Sequence, residues 1–345
     1  MMILLGDFST FLFISKVNSI LEMGENMKHR LLIPLLLFVI VSIPNLIVDA
    51  EDSNHEARLK MYKDYELASG VPWYEIAAID QYERNTYKFK EGSDKLKYDT
   101  ISIFITNERW SGPENPYYYD NDSYTINLFG GIGKDGNGDG VADINNEEDV
   151  MYTMVEYIRS FDTFKEALNS YYQQDQAVKI IEEIAQLFKH FDTIVLDKRC
   201  LPVSKRYSYS FQDNYGTARS WGGARSHEGI DIFANYSTPV LATAYGVVEI
   251  MGWNDYGGYR IGIRDIYNTY QYYAHLQGYE GDLKEGDIVE PGQVIGYVGS
   301  TGYGKEGTSG KFPPHLHFGL YKYDGRCEWA FNPYPHLRRW EKEEQ

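Results

Sequence analysis

Apolar residues recur at three- and four-residue spacing in three stretches of the first half of the chain: VPWYEIAAIDQYE, EEDVMYTMVEYIRSF and QAVKIIEEIAQLFKHF. That period predicts amphipathic helices with one buried face. An irregular stretch rich in Gly and Asn, NPYYYDNDSY to GGIGKDGNGDG, separates the first two. From about Thr193 the pattern changes to short runs rich in β-branched and aromatic residues, TPVLATAYGVVEIM, YRIGIRDI, TYQYYAHL and GQVIGYVGS, broken by turns bearing Gly and Pro. The pattern predicts an α+β multidomain chain: a helical domain over 51–195, then a compact, mostly antiparallel β domain over 196–345.

Ahead of both lies a different kind of segment. Met27 is followed by Lys28, His29 and Arg30, then by the apolar run from Leu31 to Val48 and the short residues Val48-Asp49-Ala50. A basic start feeding an apolar run reads as a signal peptide or membrane anchor over 27–50. Gly24-Glu25 can be encoded by a purine-rich string of the kind that recruits a bacterial ribosome just upstream of an initiator Met27, so residues 1–26 are expected to lie outside the functional protein. Export places the chain on the outer face of the cytoplasmic membrane or in the cell wall. That compartment permits a disulfide between Cys200 and Cys327, although spacing leaves the pairing open.

The formal charge of −17 argues against nucleic acid as a partner, and no Lys/Arg-rich run that could track phosphates occurs. The chain holds 31 tyrosines, which suit a strand-rich core as well as a binding cleft.

The candidate chemistry lies in the β region. His227 and Asp231 are four apart in GGARSHEGIDIF, His315 and His317 are two apart in PPHLHFG, and His275 stands between them in YYAHL. On a strand, residues two apart project from one face, so His315 and His317 enter one cleft. Two imidazoles and a carboxylate suit zinc and leave a fourth position open, as catalytic sites do. Surplus histidines then serve as general base and oxyanion donor. Spacing alone leaves open which of His315 and His317 binds the metal.

These three motifs resemble those of the M23 (lysostaphin- and LytM-type) zinc endopeptidases over roughly residues 205–335. The resemblance implies Zn(2+) held by His227, Asp231 and His317, with His275 and His315 activating water and stabilising the tetrahedral intermediate. Arg225, two residues before the first ligand, matches the GGxRxHxGxD form and is a candidate for lining the substrate cleft. The substrate implied is the peptide part of peptidoglycan. The layout as a whole is similar to the LytH-type L-Ala–D-Glu peptidases of spore-forming bacilli, which implies spore cortex maturation in the forespore or cortex space.

The middle region, about 66–175, resembles the helical domain of lysozyme-like lytic transglycosylases, with Glu83 at the position of the acid. Such an acid works with a raised pKa, whereas Arg84 beside it would lower that value, so a glycan-binding module is expected over an active one. In the loop Asp135, Asn137 and Asp139 have EF-hand-like spacing with Gly140 at the turn, but Asn146 occupies the twelfth position. Both Ca(2+) and a solvated acidic turn fit. The competing functions are therefore a zinc peptidase, a noncatalytic wall scaffold built on the same fold, and glycan cleavage through Glu83.

Overall fold

The computed structural model describes residues 54–91, 97–220 and 223–344. The segments read as 1–26 and as the export signal of 27–50 lie outside the described residues. Among the described residues no helix is long and apolar enough to cross a membrane.

A helix over residues 54–69 (α1) leads into α2 (Trp73–Glu91), the short α3 (Asn107–Ser111) and α4 (Ser123–Leu128), then α5 (Glu147–Arg159), α6 (Phe164–Tyr172) and α7 (Asp175–Phe191). The three periodic stretches become α2, α5 and α7. Asn146 caps α5 by accepting from the N–H groups of Glu148 and Asp149, and Thr163 caps α6 through the N–H of Glu166. Ile76 and Ile79 of α2, Val150 and Met154 of α5, and Ile180, Ile184 and Leu187 of α7 meet in one core. Burying such a side chain is worth about 1.5–3 kcal/mol, which is what holds these helices in place. Asp80 is wholly buried on the same face of α2, where hydrogen-bond partners offset the cost of burying it. It accepts from the Tyr62 hydroxyl at 2.6 Å, from Arg58 at 3.0 Å and from the backbone N–H of Ser102.

The β region follows as β1 (Tyr209–Phe211), β2 (Ala218–Arg219), β3 (Arg225–Ser226), β4 (Ile230–Ala234), β5 (Pro239–Leu241), β6 (Gly246–Asn254), β7 (Gly258–Arg264), β8 (Thr269–Tyr279), β9 (Ile288–Val289), β10 (Val294–Val298), β11 (His315–Tyr323) and β12 (Glu328–Phe331), closed by α8 (Tyr334–Glu343). Ten strands form one antiparallel sheet in the order β1-β4-β11-β8-β7-β6-β9, with β12 on β11 and β10 pairing both β5 and β8. The strands β2 and β3 form a separate ribbon. Alternation sorts β11 cleanly: Leu316, Phe318 and Leu320 are buried in the core with Ile230 and Ile232 of β4, and Trp340 of α8 meets Phe318 with ring centroids 6.3 Å apart. Neither cysteine is in a disulfide. The buried Cys200 thiol donates to the Ala242 carbonyl, while the exposed Cys327 stands beside Asp324.

Residues 58–345 make one compact unit, because the helices and the sheet share apolar core: Val247, Ile266 and Tyr323 pack into the helical cluster. Polar contacts add to this joint, with Asn85 donating to the Ile266 carbonyl at 2.8 Å and the Tyr323 hydroxyl donating to Gln174 at 2.8 Å. At its centre Arg264, buried on β7, donates to Glu249 and to Glu328, and Lys179 of α7 stands 3.4 Å from Glu249. Glu183 of α7 is buried against that same Glu249. Burial first, and the neighbouring Glu249 carboxylate second, push the Glu183 carboxyl well above its ordinary range.

A group whose folded pKa is raised contributes stability that is fully present below its unfolded value, about 4.3, and that is lost as pH rises toward the folded value. Above about pH 7, where the histidines lowered by burial have lost their protons in both states, the melting temperature should therefore fall as pH rises toward about 9, and Glu183→Gln, which keeps a donor facing Glu249 without titrating, should flatten that slope. Thermal denaturation of both proteins across the range is the check, and parallel slopes would exclude this role for Glu183.

Candidate metal centre

Three elements converge on the site. The antiparallel register sets His317 of β11 directly opposite Asp231 of β4 on one side and Ala274 of β8 on the other. His227 arrives from the turn between β3 and β4, where its N–H donates to the Thr217 carbonyl at 2.9 Å. Gly229 in that turn is a packing requirement, since a Cβ there would lie 2.6 Å from Cε1 of His317. All three side chains are buried or half-buried.

The donor atoms form a small triangle. His227 Nε2 is 2.9 Å from His317 Nδ1 and 3.0 Å from Asp231 Oδ1, and His317 Nδ1 is 3.3 Å from that oxygen. A tetrahedral ion with bonds of about 2.0–2.1 Å needs donor–donor edges of roughly 3.3 Å, close to these. His227 Nδ1 faces the Asn214 carbonyl at 2.9 Å, which assigns the ring proton to Nδ1 and leaves Nε2 as a lone pair. Two imidazole lone pairs held this close beside a carboxylate oxygen call for a cation between them. Burial disfavours the charged form of Asp231, but the imidazoles of His227, His317 and His315 gathered around it outweigh that effect and hold the carboxyl well below the usual range. His317, pushed down chiefly by burial, stays neutral as a ligand must. Among the described residues this is the group of three His, Cys, Asp or Glu side chains whose donor atoms lie within 4.8 Å of one another. Of the two histidines in HxH, His317 is the one whose ring nitrogen joins the triangle.

His315 and His275 flank the triangle. His315 Nε2 is 3.7 Å from Asp231 Oδ1, and the rings of His315 and His275 lie 4.8 Å apart. Each turns Nδ1 to a backbone carbonyl, Pro313 for His315 at 2.9 Å and Thr301 for His275 at 2.8 Å. Both rings are thereby assigned the tautomer with the proton on Nδ1 and a basic Nε2. Burial lowers both pKa values, that of His275 strongly, with His315 and His317 adding to it. The backbone of His275 has φ +62°, left-handed for a non-glycine residue, at a bulge where the β7–β8 register shifts. Such a conformation costs on the order of 1–3 kcal/mol and re-aims the side chain out of simple alternation. The five residues line a cleft of about 460 Å³ together with Tyr256, Tyr272 and Tyr303.

Two arginines complete the wall. Arg219 reaches Asp231 Oδ2, and Asn214 donates to the same oxygen at 3.1 Å while also accepting the N–H of Asp231. Arg225 lies over the Tyr256 ring at 5.2 Å and forms no ion pair among the described residues; its buried Nε has no hydrogen-bond partner there. Asn214 and Arg219 escaped the sequence reading, for neither sits in a ligand-like spacing, and only the polar turn QDNYG ahead of the first motif hints at them.

The remaining candidates lie elsewhere. Glu83 is 1% exposed, accepts from the Tyr172 hydroxyl at 2.8 Å and lines neither of the two described cavities. Arg84, expected to act on it, instead faces Asp80 at 3.4 Å and donates to the Thr100 carbonyl at 2.8 Å. In the loop, Asp135 accepts from the N–H groups of Gly138 and Gly140, Asn137 from that of Asp139, and Asp139 from that of Val141. The buried Asp149 of α5 anchors it from outside, accepting from Gly136, Asn137 and Asp143.

Comparison with known proteins agrees with this geometry. The model of Peptidase family M23 matches residues 225–331. The L-Ala–D-Glu endopeptidase of Bacillus subtilis (strain 168) is 51% identical over 291 residues, 83% of this chain and 89% of that protein. Lysostaphin of Staphylococcus simulans is 36% identical over 124 residues, 34% of this chain and 23% of that one. The solved catalytic domain of lysostaphin from the same organism is 35% identical, with a TM-score of 0.31 over 39% of this chain and 93% of the domain. With a relative this similar over most of both lengths, and a family model spanning every member of the histidine–aspartate cluster, the chain belongs to peptidase family M23 and is a metallopeptidase.

Proposed function

We propose that the chain is a zinc-dependent endopeptidase acting outside the cytoplasmic membrane on the L-Ala–D-Glu bond of peptidoglycan peptides. The observation that carries this reading is the donor triangle of His227, Asp231 and His317 beside two histidines in the same tautomer. The bond preference is supported by the Bacillus subtilis relative, an L-Ala–D-Glu endopeptidase, which matches over 83% of the chain.

His227, Asp231 and His317 would hold the zinc ion, which when bound supplies Lewis acidity and brings the pKa of water toward ~7. The proteins' own groups do the proton work. Nε2 of His315 or His275 takes the proton of the attacking water, and the imidazolium so formed donates to the oxyanion and then to the leaving amine. Burial makes that imidazolium a strong acid, which favours delivery to the amine. Arg219 and Asn214 hold the Asp231 oxygen that faces away from the triangle and so fix the carboxylate's orientation. Arg225, with no carboxylate partner among the described residues, suits the carboxylate that a D-Glu residue carries beside the cut bond. The helical region fits a lysozyme-like module that binds glycan without cutting it, since its Glu83 is buried under Tyr172. Placement in spore cortex maturation is part of the same proposal.

Digestion of purified peptidoglycan, with products identified by mass spectrometry, tests the assignment. New L-Ala carboxyl and D-Glu amino termini are expected, no products would favour a scaffold, and anhydromuramyl ends would favour glycan cleavage. His315→Ala and His275→Ala should retain zinc by elemental analysis and lose at least about 10²-fold in kcat, as expected for removing general acid–base catalysis. His317→Ala should lose the metal, and zinc-loaded His317→Ala beside metal-free His315→Ala would reverse the roles. The same analysis reports whether the Asp135–Asp139 loop carries calcium. Gly229→Ala should also lose zinc with the fold retained, because its Cβ displaces His317; full zinc occupancy in that variant would show that the ring has room to move. Arg225→Gln should raise KM for an L-Ala–D-Glu peptide about tenfold but leave KM for the D-isoglutamine analogue, whose carboxyl beside the cut bond is an amide, nearly unchanged.

A further inference from the structure

A second cavity, of about 650 Å³, lies on the opposite face of the sheet from the metal centre. On β11 the cleft takes His315, His317 and Tyr321, whereas this cavity takes Leu320 and Lys322; on β8 the division is Tyr272 and Ala274 against Thr269 and Gln271. Lys322 is five residues beyond His317, about 17 Å along the strand, and emerges on the other face of the sheet.

Its charge runs against that of the molecule. In a chain with a formal charge of −17, the wall gathers Arg199, Lys322, Arg339 and His336. The acids on the same wall are already engaged. Asp265 accepts from Arg199 at 3.0 Å and from the N–H groups of Tyr267 and Thr269 at 2.9 Å each, and Asp197 accepts from the Tyr267 hydroxyl. Lys322 has no ion pair among the described residues, and Arg339 has only an exposed contact of 3.8 Å to Glu343. After burial, the groups that lower the pKa of His336 are Arg339, Lys322 and Arg199, all of them cations. A further donor is left over: Trp340, 4% exposed, lines the cavity, and its indole N–H has no acceptor among the described residues. At the rim Trp329 is 38% exposed and meets the Phe89 ring edge to face, with centroids 6.0 Å apart.

Unspent cations and a buried N–H want an anion, and the exposed part of the Trp329 indole, packed against Phe89 and Phe331, suits the C–H face that a pyranose ring presents. We propose that this back-face cavity is a noncatalytic binding site for an anionic wall saccharide, its anion held by Lys322 and Arg339 and its ring stacked on Trp329. The identity of the anion rests on the peptidase reading. Hydrolysis at L-Ala–D-Glu consumes water, leaves the amine on the D-Glu fragment, and leaves on the glycan strand an L-Ala stub ending in a new carboxylate. The cavity would hold the trimmed strand while the cleft on the other face engages the next intact stem.

Calorimetric titration of the full chain with the disaccharide N-acetylglucosaminyl-N-acetylmuramoyl-L-Ala, its L-Ala carboxamide and oligomeric glycerol phosphate tests this, alongside turnover of a short L-Ala–D-Glu peptide. Lys322→Gln with Arg339→Gln should weaken the carboxylate ligand at least about tenfold, as should Trp329→Ala, with peptide turnover unchanged. The carboxamide should bind as weakly to the wild type as the carboxylate does to the double variant. Tighter, Lys322-dependent binding of glycerol phosphate, which carries no sugar ring, would overturn the saccharide assignment in favour of a wall-polymer phosphate. Undiminished affinity in the double variant, loss of binding only in Arg225→Gln, or no binding of either anion by the wild type would overturn the proposal. Failure of the peptidase reading appears separately, as a wild type that leaves the short peptide intact.

Discussion

The pairing of Asp231 with His317 across adjacent antiparallel strands is the constraint on which the site depends. A carboxylate oxygen and an imidazole nitrogen 3.3 Å apart are supplied by two backbones locked in register, not by flexible loops. The register is itself enforced by the other face, where Leu316, Phe318, Ile230 and Ile232 fill the core. A slip by one residue would send both ligands into that core and the apolar set into the cleft. Hydrophobic burial on one side of the sheet therefore specifies metal geometry on the other. His227 is then the single ligand whose position depends on a turn, and it is the one held by extra backbone bonds, from its own N–H to Thr217 and from its ring to Asn214.

The same sheet spends part of this stability on His275. Regular alternation would give Ala274 and Leu276 to one face and His275 to the other, yet all three are buried. The bulge in β8 and the left-handed φ at His275 resolve that conflict by turning the imidazole toward His315. The conformation is held on several sides. Its N–H donates to the Gly257 carbonyl at 2.7 Å, its ring faces Thr301, and the Thr301 hydroxyl donates to the Leu276 carbonyl at 2.6 Å. Gly258 must be glycine for this to close, since its φ is +64° and a Cβ would lie 2.3 Å from the Thr301 hydroxyl. Strain at His275 is thus tolerated because its neighbours over-determine it.

How much of this could be read from the chain follows from which forces are local. The three helices and the five cluster residues were legible because amphipathic period and strand alternation are written in consecutive side chains. HxH on a strand gives a shared face without any knowledge of partners. The ligand choice within HxH was not legible, because it depends on which strand lies beside β11 and in what register. Nor were Asn214 and Arg219, whose roles arise only when a turn distant in sequence folds over Asp231. Glu83 shows the converse failure. Its neighbour Arg84 predicted a local electrostatic effect, but helical geometry turned Arg84 toward Asp80, one turn back, and gave Glu83 to Tyr172 on another helix.

A strand of period two carries two interleaved lists of residues, and β11 uses both. Its odd positions, His315, His317 and Tyr321, belong to the cleft; its even ones, Leu316, Phe318 and Leu320, belong to the core and then open at Lys322 onto the second cavity. The core residues between them keep water out of the sheet's back face and set the distance between the two openings. One backbone carries both lists, pairing with β4 to set His317 opposite Asp231 and, further along, with β12 to set Lys322 opposite Trp329. The separation of the catalytic cleft from the cationic cavity is therefore as rigid as the pairing of the strands, and a polymer that reached both would be measured against a fixed length.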